Sequence, residues 1–189
     1  MCSGRKHEKT QQKILDAAIS LFLQGDYDQV SIEKIAREAG VSKGAIFHYY
    51  PTKAALAFDA VKHLFDEFEK RLNEETENRS LGPEGYLEAY VYSSLKMEVE
   101  EKGLTKFLLT LVSRADFPEA KELVGIMEIY LEKIAMGFAE LGVENPELKA
   151  RLLWALLDGL GIQFFIEDSN MSDDETVALA KEIVNLFLK

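Results

Sequence analysis

The sequence predicts an all-α chain of about nine helices, with a three-helix N-terminal domain ahead of a larger helical bundle. Three observations predict it. Apolar residues recur at spacings of three and four in nearly every segment, as on one face of an α-helix. Gly, Pro and Ser/Thr/Asn residues divide these segments where helix caps and stops belong. No alternating β-branched run is long enough for a useful strand, and no internal repeat or low-complexity tract interrupts the pattern.

The first helix is predicted over Lys9 to Gln24, where Ile14, Ala18, Leu21 and Phe22 share a face. Gly25-Asp26-Tyr27-Asp28 breaks it. Ser31 caps a second helix to about Ala39, with Glu33 in the first turn, where the helix dipole favours an anion. Gly40 stops that helix. Ser42 caps a third to about Tyr49, and Pro51 ends it, because the residue before proline avoids the α region. Thr52 caps a long fourth helix striped by Ala54, Phe58, Val61, Phe65, Phe68 and Leu72. Further breaks fall at Gly82-Pro83, Gly103 and Asp116-Phe117-Pro118. Asn145-Pro146-Glu147 reads as a helix start, and Ser172 with Glu175 as a capping box. The expected organisation is a head over 1–52, a connecting helix over 53–80 and a body over 83–189.

A chain of 189 residues buries a real core. No apolar run approaches the roughly 18 residues that span a bilayer, and the stretch Met1 to Glu8 is polar, so a cytoplasmic protein with no membrane partner is expected. The single cysteine, Cys2, excludes an intrachain disulfide and suits a reducing compartment. The net charge of −11 argues at first against a nucleic-acid partner, but its distribution reverses the argument. Residues 1–53 carry eight Lys/Arg against six Asp/Glu, whereas residues 54–189 carry fourteen against twenty-seven. A mildly basic head on an acidic body fits a DNA-binding domain joined to one that does not bind DNA.

The informative stretch runs from Ile32 to Pro51. Two short helices joined by a tight turn pack closely only if certain positions are small, apolar or glycine. Ala36 is small at the crossing, Gly40 can adopt the left-handed conformation, Val41 plugs the corner, and Ile35, Ala39, Ile46 and Tyr49 or Tyr50 supply the shared core. Lys43, Gly44, Ala45, Phe47 and His48 are left around the exposed side of the second helix, a recognition helix over about 42–49. A helix that enters the major groove needs small residues for close approach and polar ones to reach bases and phosphates. An ordinary helical hairpin requires no such combination.

These residues resemble the signature of the TetR family of transcriptional regulators: Ser31, Ile35-Ala36, Ala39-Gly40-Val41-Ser42, Gly44, Ile46-Phe47, Tyr49-Tyr50, and Lys53 with Leu56. Leu21-Phe22, Gly25-Asp26-Tyr27 and Val30-Ser31 look like the family's first helix and its link, so the resemblance covers about 10–57. It implies DNA contacts at matching positions. Ser31 would meet phosphate, Ser42, Lys43, Gly44 and Ala45 would open the recognition helix against the groove, Phe47, His48 and Tyr49 would meet bases or backbone, and Lys53 would hold a phosphate. Ala45 offers no hydrogen bond where some members carry a polar side chain, so readout leans on Lys43, His48 and a thymine-methyl contact. Arg5, Lys6 and Lys9 form either an N-terminal arm reaching DNA or a solvated tail.

In the body, the segment 147–168 carries one charge, Asp158, between Leu152 and Ile166, and is apolar on two faces. Leu148, Leu152, Leu156, Ile162 and Ile166 line one, and Leu153, Leu157, Leu160 and Phe164 the other. The last helix sets Val177, Ala180, Val184 and Phe187 beside Leu179, Ile183 and Leu186. A monomer's surface helix needs only one stripe, so a homodimer seam is expected at Leu153, Leu157, Leu160, Phe164, Val177, Ala180, Val184 and Phe187, with Gly159 and Gly161 easing close approach. The middle helices are rich in aromatics and methionines, which line adaptable pockets as well as plain cores. Tyr90, Met97, Phe107, Arg114, Met127, Tyr130 and Asp158 are the candidates for holding a small-molecule effector, with Gln163 as a further polar group.

His7, His48 and His63 lie far apart in sequence with no second ligand at metal spacing, and no nucleophile elbow or phosphate-cradling glycine loop is present. The expectation is therefore no enzyme, no metal and no cofactor. The expected function is a repressor that binds a double-stranded, near-palindromic operator as a dimer and is released by a small, largely apolar effector. A constitutive DNA binder and a helical adaptor are the alternatives.

Overall fold

The computed structural model describes residues 2–77, 81–114 and 120–189, with the side chains of 2–6, 8 and 77 excepted. Within them the chain is helical without strands: α1 Cys2–Gln24, α2 Ile32–Ala39, α3 Lys43–Tyr49, α4 Lys53–Glu77, α5 Pro83–Glu100, α6 Leu104–Val112, α7 Ala120–Glu140, α8 Pro146–Glu167 and α9 Asp173–Leu188. One 3₁₀ turn, Tyr27–Gln29, links α1 to α2. None of the described helices is long and apolar enough to cross a membrane. The expected break at Asp116-Phe117-Pro118 lies outside the described residues.

The helix ends follow local chemistry. Ser31 Oγ accepts from Lys34 N at 3.2 Å, Ser42 Oγ from Ala45 N at 3.1 Å, and Thr52 Oγ1 from Ala55 N at 2.9 Å. Each satisfies one backbone donor that a helix start leaves orphaned. Gly40 ends α2 at φ 66°, and Val41 N reaches back to Ala36 O at 2.9 Å. This left-handed closure needs a residue without a Cβ penalty. Ser172 and Glu175 close the capping box on α9. Asn145 departs from expectation. It precedes α8 but adopts φ 55°, and its side chain caps nothing. An N-cap side chain reaches the first turn from extended backbone, which Asn145 does not have.

Two compact units form. The first comprises Met1–Leu64 and Phe107–Leu123, the second Phe65–Lys106 and Val124–Lys189. The first takes in more of the chain than the expected 1–52 head. In it α1 packs on α2 and α2 on α3. Ile14, Ala18, Phe22, Ile35, Ile46 and Leu56 are buried. Burial of each large apolar side chain stabilises by about 1.5–3 kcal/mol. Phe107 joins this unit by stacking on Phe22, ring centroids 5.1 Å apart. In the second unit α5 packs against α8 and α9.

Candidate nucleic-acid interface

α3 is amphipathic in the simplest way. Ile46 and, just past its end, Tyr50 are buried, while Ser42, Lys43, Gly44, Phe47 and His48 are exposed and Ala45 and Tyr49 half-buried. The two ends of the exposed face are held differently. At the start, Lys43 Nζ pairs with Glu33 of α2 and lies 5.7 Å from the centre of the Phe47 ring. The hydrogen bond from Lys43 holds the Glu33 carboxyl below its ordinary range. Both partners are exposed, so the pair is weak and Lys43 can exchange Glu33 for a phosphate. At the far end, Tyr50 Oη donates to Asp59 Oδ2 at 2.7 Å and accepts from Gln11 Nε2 at 3.4 Å. Burial first, then Asp59, pushes that phenol above its usual range.

Gly44 has no structural need to be glycine. A Cβ built there meets nothing nearer than Ser42 Oγ at 3.9 Å, and no positive φ is required. Its value lies in what approaches from outside, where a missing side chain admits a duplex backbone more closely.

Lys53 is placed differently from the expected phosphate contact. Its ammonium donates to Tyr27 O at 2.7 Å and Val30 O at 3.1 Å and lies 4.1 Å from the centre of the Tyr27 ring. Burial lowers its pKa, partly opposed by Asp28. The side chain ties the start of α4 to the turn before α2. Arg114, expected in the effector site, also belongs here: it pairs with Asp28 and lies 5.1 Å from the same Tyr27 ring. Phe107 and Arg114 both belong to the first unit.

The remaining effector candidates sit in the second unit. Tyr90 and Tyr130 are buried in an aromatic cluster with Phe65 and Phe68, neighbouring centroids 5.3–5.5 Å apart and Tyr90 to Tyr130 6.3 Å. Rings in such contact stabilise one another as core. Met97 is buried, Met127 half-buried. Asp158 is half-buried, its carboxyl pushed up by burial, and its charge acts on both Tyr90 and Glu98. Elsewhere in this unit a groove of about 250 Å³ is lined by Gly85, Glu88, Ala89, Tyr92, Val177 and Ala180 among others.

Glu98, which the sequence reading missed, is the most perturbed acid there. Its carboxylate accepts from Thr105 Oγ1 and Thr105 N, across the α5–α6 turn at Gly103, where φ is 92°. A Cβ on Gly161 of α8 would lie 2.7 Å from Glu98 Cδ and 2.5 Å from Thr105 Oγ1. Gly161 is therefore needed for packing inside the chain. Burial pushes the Glu98 carboxyl up to about 7, against the two bonds from Thr105. A carboxyl with a raised native pKa is most favourable below its unfolded value, and its contribution is lost as pH rises from about 4.5 through about 7. Glu98→Gln should accordingly raise Tm by roughly 3–6 °C at pH 8 and by nothing at pH 4.5. Differential scanning calorimetry at the two pH values checks this.

The residues expected at the seam differ in exposure. Leu153, Phe164, Ala180 and Val184 are buried within the chain, at 0, 8, 1 and 1% exposure. Leu157, Leu160 and Phe187 are half-buried, and Val177 is exposed. The face of α8 left in water is the other one: Leu148, Leu152 and Ile166 are 56, 52 and 72% exposed, with Ala155 and Gly159 between them. One residue along a helix is about 100° around it. Two adjacent apolar stripes are easily told apart in number but not in which one faces inward.

Residues 14–60 match the family profile described as "Bacterial regulatory proteins, tetR family". The chain is 34% identical over 74 residues to the uncharacterized HTH-type transcriptional regulator YuxN of Bacillus subtilis, a match covering 39% of this chain and a quarter (25%) of that protein. It is 24% identical to YwcC, another HTH-type transcriptional regulator of Bacillus subtilis, over 85% of this chain and 78% of that one. The fold is similar to that of the transcriptional regulator FadR from Bacillus subtilis, solved in complex with stearoyl-CoA, with a TM-score of 0.76, 18% identity, and 94% and 97% of the two chains covered.

Proposed function

The chain belongs to the tetR family of bacterial regulatory proteins, and from that premise we propose a transcriptional repressor that binds a near-palindromic operator as a homodimer and is released by a small, largely apolar molecule bound in the second unit. One observation carries the DNA-binding reading: α3 presents Lys43, Gly44, Phe47 and His48 outward from a helix whose other face is locked into the core by Ile46. The homodimer is supported by the exposed stripe of α8, which would stay in water on a monomer. Support for the effector comes from FadR, solved in complex with stearoyl-CoA, whose acyl chain is of the same apolar kind.

A ligand loosens DNA only if it prefers the conformation that binds DNA poorly. Linkage then requires operator DNA to weaken ligand binding by the same factor, about 1.4 kcal/mol for each tenfold. The test begins with genomic DNA fragments retained by the purified protein. Retained sequences should share two half-sites about one turn, roughly 34–36 Å, apart or somewhat more, and affinity should fall steeply with salt. Apolar metabolites, stearoyl-CoA and cationic metabolites are then screened by thermal shift, and each hit is titrated into the complex. Hits that stabilise the protein but leave operator affinity unchanged make it a constitutive binder. Retention of no sequence above background points to a helical adaptor.

A further inference from the structure

We infer that His7 is a positioning residue for base readout: it fixes the orientation of His48 on the recognition helix. The inference rests on the DNA-binding reading above. α1 begins at Cys2, well before the predicted Lys9, and one stripe along it runs His7, Gln11, Ile14, Ala18, Leu21 at spacings of four, three, four and three, exposed at His7 and buried from Ile14 on. Ile14, Ala18 and Leu21 are buried and anchor the helix. Gln11 reaches Tyr50 Oη. His7, one turn further out, meets the end of α3.

Three rings close a triangle there. The centroid of His7 lies 4.5 Å from Tyr49 and 5.7 Å from His48, and His48 lies 5.3 Å from Tyr49. The two contacts of His48 are edge-on, at 75° and 80°. Tyr49 Oη donates to His7 O at 3.2 Å, which pins the backbone of α1 to the same corner. An exposed imidazole on a seven-residue helix would otherwise sample several rotamers, and freezing it during binding weakens the complex. Contact with His7 and Tyr49 orders it beforehand. A rigid helix anchored in the core is the right support for such a group, since readout needs side chains held to within a fraction of an ångström. His7 thereby acts through His48, without itself needing to touch a base.

The experiment uses the full chain and a randomised operator library at fixed salt, with His7→Ala, His7→Phe, His48→Ala and the His7→Ala/His48→Ala double variant beside the parent. His48→Ala defines which base pairs that residue reads. His7→Ala should lose about 3–10-fold of the preference at those same base pairs and keep it elsewhere. The double variant should lose no more than His48→Ala alone, because the two act through one contact. His7→Phe, which keeps a ring at the corner, should retain most of the preference. Uniform weakening on all sequences with His48's base pairs still discriminated would overturn the inference, and so would losses that multiply in the double variant. A parent that enriches no sequence removes the DNA-binding reading and this inference together, whereas an enriching parent with an unaltered His7→Ala profile removes the inference alone. The His48 imidazole NMR signals of the free protein give an independent readout: they should shift in His7→Ala, and unchanged signals count against the contact.

Discussion

Leu152→Glu should leave each protomer folded, convert the protein to a monomer, and weaken operator binding by about 100-fold or more. Leu152 is 52% exposed, so a carboxylate there stays solvated in the isolated chain and costs little. In a two-fold seam the same position meets its own copy or a near neighbour, and two carboxylates brought together out of water repel. Loss of the seam separates the two recognition helices, and the gain from engaging both half-sites at once, of order 10²–10⁴, disappears. The adjacent residue is the control. Leu153 is fully buried, and Leu153→Ala should destabilise the fold by about 2–5 kcal/mol whether or not a dimer exists. Analytical ultracentrifugation at micromolar concentration, with anisotropy titrations of a labelled operator, separates the outcomes. A Leu152→Glu protein that stays dimeric and binds DNA as the parent does would move the seam elsewhere.

That contrast marks where the sequence was legible. The turn between α2 and α3 was readable because its chemistry is local: Ser31, Gly40 and Ser42 each act within a few residues of their own position. The outward set on α3 was readable for the same reason, since a seven-residue helix with one buried isoleucine leaves little choice of face. Long-range partners were not. Nothing local distinguishes Leu152 from Leu153, and tertiary packing decides which is buried. Phe107 looked like a member of the body until its ring was placed on Phe22, 85 residues earlier in the chain. Glu98 sits in an acidic run, Glu98-Val99-Glu100-Glu101, that reads as a solvated surface. Its burial depends on Thr105 and Gly161 coming together. Carrying the α1 stripe back from Ile14 through Gln11 arrives at His7, beyond the helix start predicted at Lys9.

Lys53→Met should lower the Tm of the DNA-free protein by roughly 5–10 °C while leaving the salt dependence of operator binding nearly unchanged. Methionine keeps much of the apolar stem and removes the ammonium, so the comparison isolates the charge. That ammonium donates to two backbone carbonyls, Tyr27 O and Val30 O, in the link that sets α2 against α1. Hydrogen bonds from a charged donor contribute about 1.5–3 kcal/mol, and carbonyls stripped of one lose that together with the ring contact to Tyr27. For a chain of this length each kcal/mol moves Tm by about 2–4 °C. The family resemblance implies the opposite pattern. A lysine spent on a phosphate lies free until DNA arrives, so its loss would spare Tm and reduce the slope of log K against log salt by about 0.9. Both quantities come from one preparation, by calorimetry and by titration at four or five salt concentrations. An unchanged Tm with a slope reduced by about one would show that the ammonium leaves Tyr27 and Val30 for the duplex; a lowered Tm with the slope intact makes Lys53 the brace that holds the recognition helix in place for Lys43 and His48.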